Sequence, residues 1–111
     1  MVKYFTNTFL ATKVSFANEM YSICEQIGID YDKVVEYATY DERLGKSHWA
    51  VPGPDGDFGF GGHCFPKDLS AIINSFDTYG LLEAVEQVND QVREDRDWEH
   101  MVGRAVLEEE D

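Results

Sequence analysis

Large apolar side chains recur at spacings of three and four through the first quarter of the chain, at Phe5, Phe9, Phe16, Met20, Ile23, Cys24 and Ile27. That period marks an amphipathic helix with one buried stripe. Gly28 follows the stripe and suits the left-handed C′ position, so the pattern predicts one long helix from about Lys3 to Ile27. Cys24 falls on the stripe and reads as core. A shorter helix is predicted from an Asp30 N-cap, burying Val34, Val35 and Ala38 against the first. From Lys46 to His63 the pattern stops, because Pro52, Gly53, Pro54, Gly56, Gly59, Gly61 and Gly62 are too dense for regular structure. A loop of that length in a small domain is more often functional than idle. Helical spacing resumes at Pro66 with Leu69, Ile72, Ile73 and Phe76 on one face, and Asp77-Thr78-Tyr79-Gly80 closes the segment. A last stretch carries Leu81, Leu82, Val85, Val88 and Val92, then Trp98, Met101, Val102 and Ala105 at helical spacing. No run of alternating apolar residues predicts a strand, so the reading is an all-α single domain of about five helices.

A chain of 111 residues supports one modest core and excludes a second domain. An apolar content of 43% keeps the acidic balance from implying disorder. The formal charge of −13 argues against nucleic acid and anionic lipid as partners. From Leu81 onward there are 11 acidic and three basic residues, a pattern typical of a solvated face, and the tail 107–111 is expected to fray. Two cysteines with no secretory leader make no disulfide framework, so a reducing cytoplasm is expected. No apolar run approaches the roughly 18 residues of a membrane span.

The densest chemistry lies in Gly59-Phe60-Gly61-Gly62-His63-Cys64-Phe65-Pro66-Lys67-Asp68. Pro66 suits a first helical position, which sets Cys64 just before a helix N-terminus, where unpaired N–H groups and the macrodipole favour a thiolate. Asp68, four residues on, is placed to serve water or a leaving proton. The plainer account of a lone cysteine is a small buried hydrophobe. Lys3 and Asn7 stand one helical turn apart and project from one face, so they could act on one small group together, although such a pair at this spacing usually marks a solvated face. Gly45-Lys46-Ser47 is not the end of a P-loop, since Tyr40 occupies the position of the required glycine. Gly59-x-Gly61-Gly62 follows no strand and is not a dinucleotide fingerprint. His48, His63, His100 and Cys64 lack the paired spacing of a zinc site, so no metal is expected. A cysteine hydrolase requires His48 or His100 to reach Cys64.

Three ordered segments resemble the central helical domain of the nucleotide-sugar 6-dehydrogenases, the UDP-glucose and GDP-mannose dehydrogenase family. Lys3 to Ala11 resembles its K-x-x-x-N-x-x-L-A segment, Tyr40 to Gly45 its D-x-R-[IL]-G turn, and Phe58 to Asp68 its F-G-F-G-G-x-C-x-x-K-D loop. The resemblance covers about Val2 to Val92 and implies two successive NAD-dependent oxidations of the sugar C6 alcohol. It implies that Cys64 attacks the intermediate aldehyde to give a thiohemiacetal and then a thioester. Lys3 and Asn7 would stabilise the oxyanion, and Asp68 would orient or activate water. Phe60 and Gly61 would border the sugar, with Lys67 beside them. Arg43 would reach the substrate of a neighbouring subunit, which implies a homodimer with the long first helix at its interface. Lys67-Asp68 after the cysteine favours the UDP-glucose branch, whereas the Gly-Gly-His-Cys run is shared with the branch oxidising N-acetylated amino sugars. With no strand-GxGxxG-helix unit, NAD is expected on a domain absent from this chain, and the chain itself is expected to be an inactive central fragment. The reading from a different class is a non-catalytic acidic module for interaction or dimerisation.

Overall fold

The computed structural model describes residues 1–62 and 64–93. All regular structure among the described residues is helical: α1 (Val2–Ile27), α2 (Tyr31–Ala38), a 3-10 turn (Glu42–Leu44), α3 (Cys64–Ser75) and α4 (Leu81–Val92). The helix expected around Trp98 to Ala105 and the tail 107–111 lie outside the described residues.

Helix α1 ends as its sequence requires. Gly28 takes φ 73°, its N–H donates to the Glu25 carbonyl, and the Ile29 N–H donates to that of Cys24, so two orphan carbonyls of the last turn are satisfied. Asp30 caps α2 by accepting from the Asp32 N–H at 3.0 Å. Helices α3 and α4 pack against α1 and against each other, while α2 folds back on the C-terminal half of α1.

Two apolar clusters result. Ala11, Phe60, Leu69 and Val85 form the one among α1, α3 and α4, with Val14, Phe65, Ile73 and Leu82 around it. Ala17, Cys24, Tyr31 and Val51 form the other beneath α2 and the long loop, with Met20, Val35, Trp49 and Phe58 at its edge. Cys24 is core, as its position on the stripe suggests.

Three expectations need correction. The large residues of the α1 stripe are not its core face: Phe5, Phe9 and Phe16 are 73%, 59% and 54% exposed. The residues buried on α1 are instead Ala11, Lys13, Ser15, Ala17, Asn18 and Cys24, most of them small enough for neighbouring segments to approach closely. In α2, Val34 and Ala38 face solvent, and Tyr31 and Val35 do the packing, because the helix approaches α1 by its first turn. Finally, α3 begins at Cys64 and not at Pro66. Proline is tolerated anywhere in the first turn, where no N–H has an intrahelical partner, so Pro66 sits third without cost.

Candidate active site

Helix α3 leaves the glycine loop with Cys64 as its first residue and carries Asp68 one turn later, about 6 Å along the axis. Asp68 is 0% exposed, and its Oδ2 accepts a 2.7 Å hydrogen bond from Asn7 Nδ2, joining residues 61 apart in sequence. This bond fixes the start of α1 against the start of α3. Asp68 Oδ1 receives no hydrogen bond among the described residues, and Lys67 Nζ stands 3.6 Å from it. A buried carboxylate is tolerated when charge and hydrogen bonds surround it. Here one oxygen is so held, and the other keeps its lone pairs available. Lys3, one turn before Asn7, is exposed.

Phe60 and Gly61 belong to a strap, residues 59–62, that bends at Gly59 and Gly62 and leads toward α3. The Gly59 N–H donates to Asn18 Oδ1 at 3.0 Å. One residue on, the Phe60 N–H donates to Asn89 Oδ1 at 2.7 Å and the Phe60 carbonyl accepts from Asn89 Nδ2 at 2.9 Å. The Phe60 ring turns into the first apolar cluster. Phe60 and Gly61 also line a cleft of about 580 Å³, along with Ser47, His48, Phe65 and Arg93. His48 holds φ 68°, a left-handed conformation uncommon outside glycine, and its ring lies 6.1 Å from that of Phe65. His63 and His100, two other imidazoles considered from sequence, lie outside the described residues.

The loop before the strap is pinned by Arg93, which is buried at the end of α4. Its guanidinium meets Asp55 at 2.6 Å and Asp57 at 3.5 Å. That hydrogen bond holds the Asp55 carboxyl below the usual carboxylate range.

Arg43 is not brought to the Asn7–Asp68 pair. Its exposed guanidinium is held by Asp41, 2.6 Å away, which lowers the Asp41 pKa and raises its own. The 3-10 turn carrying it is fastened to α1 by Lys13, whose Nζ donates to the Leu44 carbonyl at 2.8 Å and lies 4.6 Å from the centre of the Trp49 ring. Burial pushes the Lys13 ammonium pKa down.

Sequence reasoning missed Lys13, Asn18, Asn89 and Arg93. The available signal was position: Asn18 continues the small-residue face one turn after Val14 and Ser15, and Asn89 stands four residues after buried Val85. Among the described residues there is no cluster of three metal-ligating side chains, and no helix is long and apolar enough to cross a membrane.

A family model, that of the UDP-glucose/GDP-mannose dehydrogenase central domain, matches residues 1–91. The chain is similar to UDP-glucose 6-dehydrogenase TuaD of Bacillus subtilis, 40% identical over 97 residues, covering 84% of this chain and 20% of that protein. It is 42% identical over 96 residues to UDP-glucose 6-dehydrogenase of Pseudomonas aeruginosa, covering 83% and 20%. To UDP-glucose 6-dehydrogenase AglM of Haloferax volcanii it is 40% identical over 94 residues, covering 81% and 21%. The chain thus spans about a fifth of the length of these relatives. No solved structure matches it at a significant level.

Proposed function

We propose a function on the following premise: this chain belongs to the UDP-glucose/GDP-mannose dehydrogenase family, whose central domain it spans. The function is that of the substrate-side, dimerising domain of a cytoplasmic UDP-glucose 6-dehydrogenase, inactive on its own. The observation that carries it is the Asn7–Asp68 hydrogen bond, because it unites the amide of the opening helix with the helix that begins at Cys64.

In this reading the Cys64 thiolate adds to the C6 aldehyde of the sugar. A carbon–sulfur bond forms and the carbonyl π pair moves onto oxygen. Asn7 spends one Nδ2 hydrogen on Asp68 and has a second, which together with the Lys3 ammonium stabilises that oxyanion. At the later thioester stage water attacks the acyl carbon, Asp68 takes the water's proton, and the carbon–sulfur bond breaks to return the thiolate. Phe60, Gly61 and Lys67 border the sugar. NAD supplies a hydride acceptor when bound, and the described residues hold no strand and no dinucleotide fingerprint to cradle it. The exposed apolar stripe of α1 supports a homodimer through that helix, and Arg43, held by Asp41 on the exposed surface, would exchange that carboxylate for the partner's substrate.

The test is alkylation by iodoacetamide followed by mass spectrometry across a pH series. Cys64 is expected to react ahead of buried Cys24, with a rate midpoint below the free-thiol value of about 8.5. A midpoint at or above that value, or equal inertness of the two thiols, refutes the reading.

A further inference from the structure

Among the described residues the glycine strap has no strand beside it, yet Gly59 and Phe60 are buried. Three backbone groups, the N–H of Gly59 and both polar groups of Phe60, are met by two side-chain amides that are 4% and 3% exposed. Asn89 offers Phe60 an acceptor and a donor at once, as a neighbouring peptide would in a sheet. An apolar residue at either position packs as well and leaves those groups unpaired, so the amides are there for the strap.

We propose that Asn18 and Asn89 are positioning residues: their amides hold Gly59 and Phe60 as a substitute strand pair and thereby fix where the chain enters α3 and where Cys64 stands. Helix α1 acts as the ruler. Asn7 and Asn18 are separated by 11 residues, close to three full turns, so they lie on one face about 16 Å apart. One end of that face holds Asp68 and the other holds Gly59. Cys64 lies between the two attachments, five residues after Gly59 and four before Asp68. Gly59 is part of the device, since a Cβ there would come within 2.2 Å of Asn89 Oδ1, on a backbone already at φ 70°. The ring of Phe60, packed on Ala11, Leu69 and Val85, keeps the strap from sliding.

The inference rests on the proposed function, since only a working Cys64 needs its place fixed. The experiment uses the 111-residue chain and its Asn89→Leu, Asn18→Leu and Asn18→Asp variants, read by amide hydrogen exchange and by the pH profile of iodoacetamide alkylation. In each leucine variant, exchange at the amides of Gly59 and Phe60 is expected to quicken roughly five- to thirtyfold while the α1 and α2 amides keep their protection. The Cys64 alkylation midpoint is expected to rise toward that of a free thiol. Asn18→Asp keeps the acceptor for Gly59 and is expected to restore both readouts. Should one leucine variant fail to fold, the other carries the test, for each amide serves a different strap residue. A Cys64 unreactive in the wild-type chain overturns the function and this inference together. A reactive Cys64 whose midpoint is the same in the leucine variants overturns this inference alone, as does exchange that quickens evenly along the chain.

Discussion

Removing the Asn7 amide takes the hydrogen bond from a fully buried carboxylate. Asp68 has no exposed surface, one hydrogen bond on Oδ2 from Asn7, and a lysine ammonium 3.6 Å from Oδ1. Asn7→Ala deletes the hydrogen bond and leaves the carboxylate, among the described residues, with the Lys67 ammonium. A hydrogen bond to a charged group contributes about 1.5–3 kcal/mol, and the stranded partner here is beyond the reach of bulk water, so the upper half of that range is expected. Asp68→Asn keeps the shape and removes the charge, and it should cost less, because a buried neutral amide is cheaper to leave half-satisfied than a carboxylate. In the double variant the second loss should be smaller than in the wild type, giving a coupling of about 1–2 kcal/mol. Urea unfolding followed by far-UV circular dichroism measures this. The Asn7→Ala midpoint should drop by roughly 1 M for a chain of this size. A drop equivalent to less than about 0.5 kcal/mol, or strict additivity in the double variant, would mean that the bond does not fasten α1 to α3, and the central observation behind the proposed function would lose its energetic basis.

Two further outcomes test separate parts of the molecule. Burial, aided by the charges of Asp32 and Cys24, pushes the Tyr31 phenol up to about 12, and its hydroxyl donates to the Trp49 carbonyl at 2.6 Å. The folded state therefore favours the neutral phenol: its contribution is intact below the unfolded value of 10.0 and is lost as pH rises from there toward about 12, by roughly 2 kcal/mol. Stability measured across that window should fall in the wild type and stay nearly flat in Tyr31→Phe, and equal slopes would refute the assignment. The second concerns the outer face of α1. Sedimentation equilibrium should find the wild-type chain dimeric and the Phe9→Glu, Phe16→Glu double variant monomeric with its helical content retained, since both rings are more than half exposed in the single chain. A wild-type chain that stays monomeric at high concentration removes the homodimer.

How much of this was legible in the sequence depends on which residues carried the signal. Helix α1 and its Gly28 stop could be read to within a residue, because period and cap are local properties. The direction in which α1 faces could not. A stripe of phenylalanines at helical spacing says that a face is apolar, and it says nothing about whether the surface meeting that face belongs to the same chain. Here the phenylalanines point outward while Ala11, Ser15 and Ala17, which looked like filler, are buried. The same inversion hid the strap. Asn18 and Asn89 are residue types usually found in solvent, and only the backbone of Gly59 and Phe60, invisible in a sequence, explains why they are buried. The sequence singled out Asn7 and Asp68 separately, and their direct contact across 61 positions required the fold.

These two faces of α1 have a joint consequence. Its inner face holds Asp68 through Asn7 and the strap through Asn18, while its outer face presents Phe5, Phe9 and Phe16 over some 16 Å of the same helix. A helix packed on one side only can bow or shift along its partner. Covering the outer stripe would stiffen the element that sets the spacing between Gly59 and Asp68, and hence the place of Cys64. Lys13 joins a third fixture to the same helix by binding the Leu44 carbonyl beside Arg43. A dimer formed through that stripe would couple assembly to the ordering of the proposed site through one helix, because Asp68, the strap at Gly59 and the turn at Leu44 are each fastened to α1 by one of its side chains.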